Sequence, residues 1–197
     1  MSETLPALDA PRPHPIRLAV TDDLRRSRLT VFLRLLLAIP HLVWLTLWSF
    51  AAWLAVVVAW IVGLVTGRVP DGFHGFMAAY TRYYTHLDAY LWIAADPFPG
   101  FTGAPGYPVD VEIAPAAPQS RLTILFRLVL AIPAAIVMSV LQNVAWIVAF
   151  LAWFYALFTG RMSQGMRDLQ AYCLRYQAQT YAYLLLLTQR YPSFSDE

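Results

Sequence analysis

Residues 29–66 form a run of 38 residues whose single charged side chain is Arg34, and residues 122–159 form a second such run broken only by Arg127. No carboxylate occurs between Asp23 and Asp71, nor between Glu112 and Asp168. A soluble domain has to spread polar residues over its whole surface, and ordinary domains carry about 25% charged residues. This chain carries 13%, gathered into blocks. Apolar stretches of that length are the mark of membrane spans, so the expectation is an all-α integral membrane protein.

The two runs belong to a longer repeat. At an offset of 93 residues, 28 of the 87 pairs between 15–101 and 108–194 are identical without a gap. Ser27-Arg28-Leu29-Thr30 falls on Ser120-Arg121-Leu122-Thr123, Ala38-Ile39-Pro40 on Ala131-Ile132-Pro133, and Thr66-Gly67-Arg68 on Thr159-Gly160-Arg161. Composition alone would not align Arg, Gly and Pro, so the pattern indicates duplication. The expected organisation is a flexible tail at 1–14, repeat 1 at 15–101, a linker at 102–107, repeat 2 at 108–194 and a short tail at 195–197.

Each repeat reads in three parts. Ile16–Val20 and Val109–Ile113 alternate as a half-exposed strand would. The long apolar run follows. As one helix it would measure about 57 Å at 1.5 Å per residue, against a hydrocarbon core of about 30 Å. It therefore either folds back as a transmembrane hairpin or lays its first third in the interface before one span. Arg25, Arg26 and Arg28 precede the first run and Arg68 follows it; Arg121 precedes the second and Arg161 and Arg167 follow. The positive-inside bias places all of these on the cytoplasmic side, which favours the hairpin, four spans and cytoplasmic termini. Gln142-Asn143 and Ser49 mark the expected turns, and Gly67 and Gly160 the helix ends. The third part, about 71–95 and 164–188, carries Tyr and Arg on the flanks of an apolar stripe. That pattern predicts an interfacial amphipathic helix; a helix packed on neighbouring protein would look the same.

These features together resemble the bacterial membrane-protein family labelled domain of unknown function 4389. The residues that carry the likeness are Arg34, Ile39-Pro40-His41, the Trp-containing run, Thr66-Gly67-Arg68, Arg82 and Tyr90 before a Pro-Phe ending, met twice. The second copy departs from it where Ala134 replaces His41 and Gln189 replaces Asp96. The resemblance implies a small multi-span protein of the bacterial plasma membrane and no assigned activity.

Chemistry-bearing motifs are scarce. There is no nucleophile elbow, phosphate loop or zinc signature, and His14, His41, His74 and His86 lack metal-ligand spacing. No catalytic residue, metal or cofactor is expected, and a net charge of +2 gives no reason to expect nucleic acid. All fourteen basic residues are Arg, which fits either a GC-rich genome or guanidinium chosen for lipid phosphate. Arg34, Arg127, Arg68 and Arg161 are the candidate contacts to anionic lipid, the first two by snorkelling from within the membrane boundary. The expected function is a non-enzymatic scaffold or accessory subunit with an Arg-rich cytoplasmic face. The expected partners are membrane lipids, with a protein partner or a homo-oligomer. The alternative is a small lipid or solute transporter working between the repeats.

Overall fold

The computed structural model describes residues 13–195, so most of the expected tail at 1–14 lies outside the described residues. The element order is β1 (Ile16–Val20), α1 (Arg28–Thr66), α2 (Asp71–Leu91), β2 (Val109–Ile113), α3 (Arg121–Thr159) and α4 (Gln164–Leu184).

Both strands form where the alternation places them, and they pair with each other. The antiparallel register sets Ile16 against Ile113, Leu18 against Val111 and Val20 against Val109. Those six side chains share one face of the two-stranded sheet and pack into the core, while Arg17 and Glu112 form an exposed 2.8 Å ion pair on the other face.

The expected transmembrane hairpin is not formed. α1 and α3 are each one unbroken helix of 39 residues, running through Pro40 and Pro133 and through the proposed turns. The reason is visible in the buried stripe. Val31, Arg34, Ala38, His41, Ala52, Ala59 and Gly63 recur on one side of α1 and face neighbouring helices over its whole length. A turn at the midpoint would break that stripe. The polar residues read as turn signals have helical uses instead: Ser49 Oγ meets Tyr80 Oη at 2.9 Å, Gln142 Nε2 donates to Gln177 at 3.0 Å, and Asn143 Nδ2 donates to Ser139 O at 2.7 Å. Gly67 and Gly160 end the helices as expected, in the left-handed region with φ of 74° and 69°.

A second correction concerns α2 and α4. These are not surface helices lying in a headgroup plane, because both of their broad faces are covered by protein. One side carries the sheet, where Arg82 Nε donates to Val111 O at 3.0 Å and Gln179 Nε2 to Ile16 O at 3.3 Å. The other side packs on α1 and α3, and Met77, Ala78, Leu87, Ala178 and Ala182 are buried. Their amphipathic pattern reflects partly polar protein neighbours, not the boundary between water and lipid. The molecule thus has three layers: the sheet, the pair α2 and α4, and the pair α1 and α3.

The repeats are related by an internal two-fold axis. Trp60 Nε1 donates to Ile124 O at 2.9 Å, and Trp153 Nε1 donates to Val31 O at 3.0 Å. Arg26 N donates to Gly160 O at 3.0 Å, and Gln119 N to Gly67 O at 2.8 Å. At the 93-residue offset each bond is the partner of the other, the reciprocity of an isologous interface. α1 and α3 consequently lie side by side and antiparallel, each starting where the other ends.

Candidate functional site

Arg34 leaves α1 toward the C-terminus of α2, where the last carbonyls of a helix lack partners within it. Its Nη1 donates to Tyr90 O and, at 3.0 Å, to Ala95 O; its Nη2 donates to Asp96 Oδ1 at 3.0 Å. The guanidinium also lies over the Tyr90 ring, 4.4 Å from its centroid. The chain bends sharply here through Ile93, whose φ is +67°. A β-branched residue is a rare occupant of that region, so the turn is held by its surroundings. Arg26 supplies part of the hold: Nε donates to Ile93 O at 2.9 Å, Nη2 to Ala94 O at 2.8 Å, and the same group pairs with the buried Asp22.

Repeat 2 rebuilds this arrangement with fewer charges. Arg127 donates to Tyr183 O, to Thr188 O at 2.9 Å and to Gln119 Oε1, and it covers the Tyr183 ring at 4.5 Å. Leu186 takes φ +63° at the position equivalent to Ile93. Gln119, the counterpart of Arg26, donates to Leu186 O, and Gln189, the counterpart of Asp96, accepts from Ser120 N at 2.7 Å. Two amides thus replace an arginine and an aspartate while keeping the contacts to the turn carbonyl, Ile93 O or Leu186 O, and to the N–H of Ser27 or Ser120.

Of the four candidate lipid contacts, Arg34 and Arg127 are each 1% exposed, and the hydrogen bonds of their terminal nitrogens go to groups of their own repeat. They act as helix-closing groups, and snorkelling toward headgroups is not the geometry they adopt. Arg68 and Arg161 are exposed, at opposite ends of the α1 and α3 layer. Arg68 makes a 3.1 Å ion pair with Asp71 on the surface, beside the start of α3, where the Arg121 guanidinium lies next to Gly67. Arg161 pairs backbone to backbone with Arg25, and the Arg28 guanidinium lies next to Gly160. Each end of the layer is therefore basic.

Sequence reasoning missed a polar chain between the repeats. Gln142 of α3 donates to Gln177 of α4 at 3.0 Å, and Gln177 donates to Asp88 of α2 at 2.6 Å. Burial pushes the Asp88 carboxyl up to about 7, opposed by the hydrogen bond from Gln177. No pattern within either repeat could have revealed it, because Gln177 and Asp88 become neighbours only across the two-fold. His41, the suspected odd residue of repeat 1, sits against Tyr83 Oη at 2.8 Å and stacks on Phe101 at 4.2 Å. No group of three or more His, Cys, Asp or Glu side chains suited to a metal ion occurs among the described residues.

The features define a class: a duplicated helical unit whose two long apolar helices are each of a length that could cross a membrane. The sequence model described as domain of unknown function (DUF4389) matches residues 28–102 and again 121–196, and the chain belongs to that family in two tandem copies. Each strand precedes its matched segment. No curated protein and no solved structure matches the chain.

Proposed function

We propose that this protein is a non-enzymatic membrane scaffold or accessory subunit, held at the cytoplasmic face of a bacterial plasma membrane with both termini in the cytoplasm. One observation carries the reading: apolar and polar surfaces are sorted onto opposite layers. Leu36, Phe50, Trp53, Leu128, Phe150 and Phe158 stand exposed on α1 and α3, while the outer face of the sheet carries Arg17 and Glu112. Contiguous exposed apolar surface on this scale belongs against lipid or a partner. The polar layer is then free to present the sheet and linker to other proteins. The reading involves no nucleic acid. Purification in mild detergent tests it: a stoichiometric partner or a defined homo-oligomer is expected, and a strictly monomeric protein without partners would count against it.

A transporter working between the repeats is the second reading. It is favoured by the inter-repeat chain Gln142–Gln177–Asp88 and by a cleft of about 320 Å³ between α1 and α3, lined by Arg34, Trp146 and Trp153 among others. Solute flux or lipid scrambling in proteoliposomes separates the two; absence of both at high protein density removes the transporter.

A further inference from the structure

We infer that α1 and α3 lie in the plane of the membrane, embedded in one leaflet, and that neither crosses it. The inference rests on the membrane-scaffold reading above and specifies how the protein meets the lipid. Three observations converge on it.

Length is the first. A helix of 39 residues measures about 58 Å, and crossing a hydrocarbon core of about 30 Å would leave roughly 14 Å protruding on each side. The protruding turns should then be polar. They are Leu29, Phe32, Leu35 and Leu36 at one end and Ile61 and Val65 at the other, all exposed. The apolar face continues to both ends.

The position of the charges is the second. Tyr83 of α2 meets His41 of α1, so the sheet-binding residues Arg82 and His86 lie level with α1 about 20 Å from its nearer end. The two-fold places the matching contact of α4 the same distance from the other end. The exposed Arg17–Glu112 pair, at the centre of this span, would be carried to mid-membrane by a perpendicular α1, the depth at which charged side chains are most strongly disfavoured. With the helices in the plane, the α2 and α4 layer separates the pair from the lipid.

The third is the rim. Arg25, Arg28 and Arg161 stand exposed at one end of the embedded layer, with Asp23 3.9 Å from Arg25, and Arg68 and Arg121 at the other, with Asp71 3.1 Å from Arg68, which leaves an excess of arginine in each cluster. A perpendicular layer would set these clusters on opposite sides of the membrane. An in-plane layer sets both at one headgroup level, where anionic lipid attracts them. The depth also fits, since a helix is about 10–12 Å across and an in-plane amphipathic face buries about 5–10 Å.

The test uses the full chain carrying Cys173→Ser, with single cysteines introduced at Arg28, Arg121 and Arg17 in separate variants. Each is reacted with a membrane-impermeant maleimide in right-side-out and inside-out vesicles, and extraction with alkaline carbonate is followed in parallel. The expected result is a protein that resists carbonate and labels at all three positions only in inside-out vesicles. Labelling of Arg28→Cys and Arg121→Cys from opposite sides overturns the in-plane arrangement and leaves the membrane scaffold standing. Release by carbonate overturns both. So does a soluble dimer of twice the chain mass in detergent-free buffer, which would mean that a second copy covers the apolar face.

Discussion

Arg34 and Arg127, each 1% exposed, donate to the carbonyl oxygens of Ala95 and Thr188, and removing either guanidinium takes that donor from a buried acceptor. Arg34→Gln should therefore destabilise the protein by about 3 kcal/mol, read as a lowered melting temperature in detergent. Arg127→Gln should do the same with no carboxylate in its immediate shell. If both variants melt normally while losing bound anionic lipid, these arginines serve lipid and not the fold. Gly103 is a second sensitive point. It sits at φ +62°, and an added Cβ would lie 1.9 Å from Ala79 O, so Gly103→Ala should cost about 2–3 kcal/mol. Gly100→Ala, where a Cβ meets nothing within 4 Å, is the matching control and should melt unchanged. Asp88 gives a pH signature. Its carboxyl is pushed from 3.8 up to about 7, so the fold favours the neutral acid. That contribution is complete below 3.8 and is lost as pH rises through about 7. Asp88→Asn should flatten the dependence of melting temperature on pH across that window. The sequence singled out Arg34 as a lone charge within the apolar run but gave no sign of its partners: the carbonyls of Tyr90 and Ala95 converge on it only because Ile93 turns the chain back.

At the scale of elements, sequence served best where one physical requirement acts alone. The strands were marked by alternation that a half-buried sheet demands, and Gly67 and Gly160 by the left-handed cap that ends a helix. It failed for α1 and α3 because helix length was measured against a bilayer, when a flanking protein layer rewards an unbroken helix. The interfacial reading of α2 and α4 failed because an apolar stripe flanked by Tyr and Arg suits a protein neighbour as well as a headgroup plane. The contact between α1 and α3 is testable at its two ends. Trp60→Phe and Trp153→Phe each remove one hydrogen bond to the facing helix and should each cost about 1 kcal/mol. On each helix the bonded positions Val31 and Trp60, or Ile124 and Trp153, are separated by about 43 Å of helical rise, so the losses should add in the double variant.

For the whole molecule, the repeat was readable from identity at one offset, whereas the two-fold that relates the copies appears only in the pairing of β1 with β2 and in the reciprocal bonds. That symmetry has a consequence for how such a chain can change. In an assembly of two identical subunits, a substitution arises at both related positions together, so a change helpful in one place must be tolerated in the other. Joining the copies through residues 102–107 lifts that coupling. Arg26 and Asp96 accordingly stand in one half where Gln119 and Gln189 stand in the other, and His41 where the second copy has Ala134. Each half is thereby a separate target for selection, and a substitution in one need only suit the neighbours of that one position.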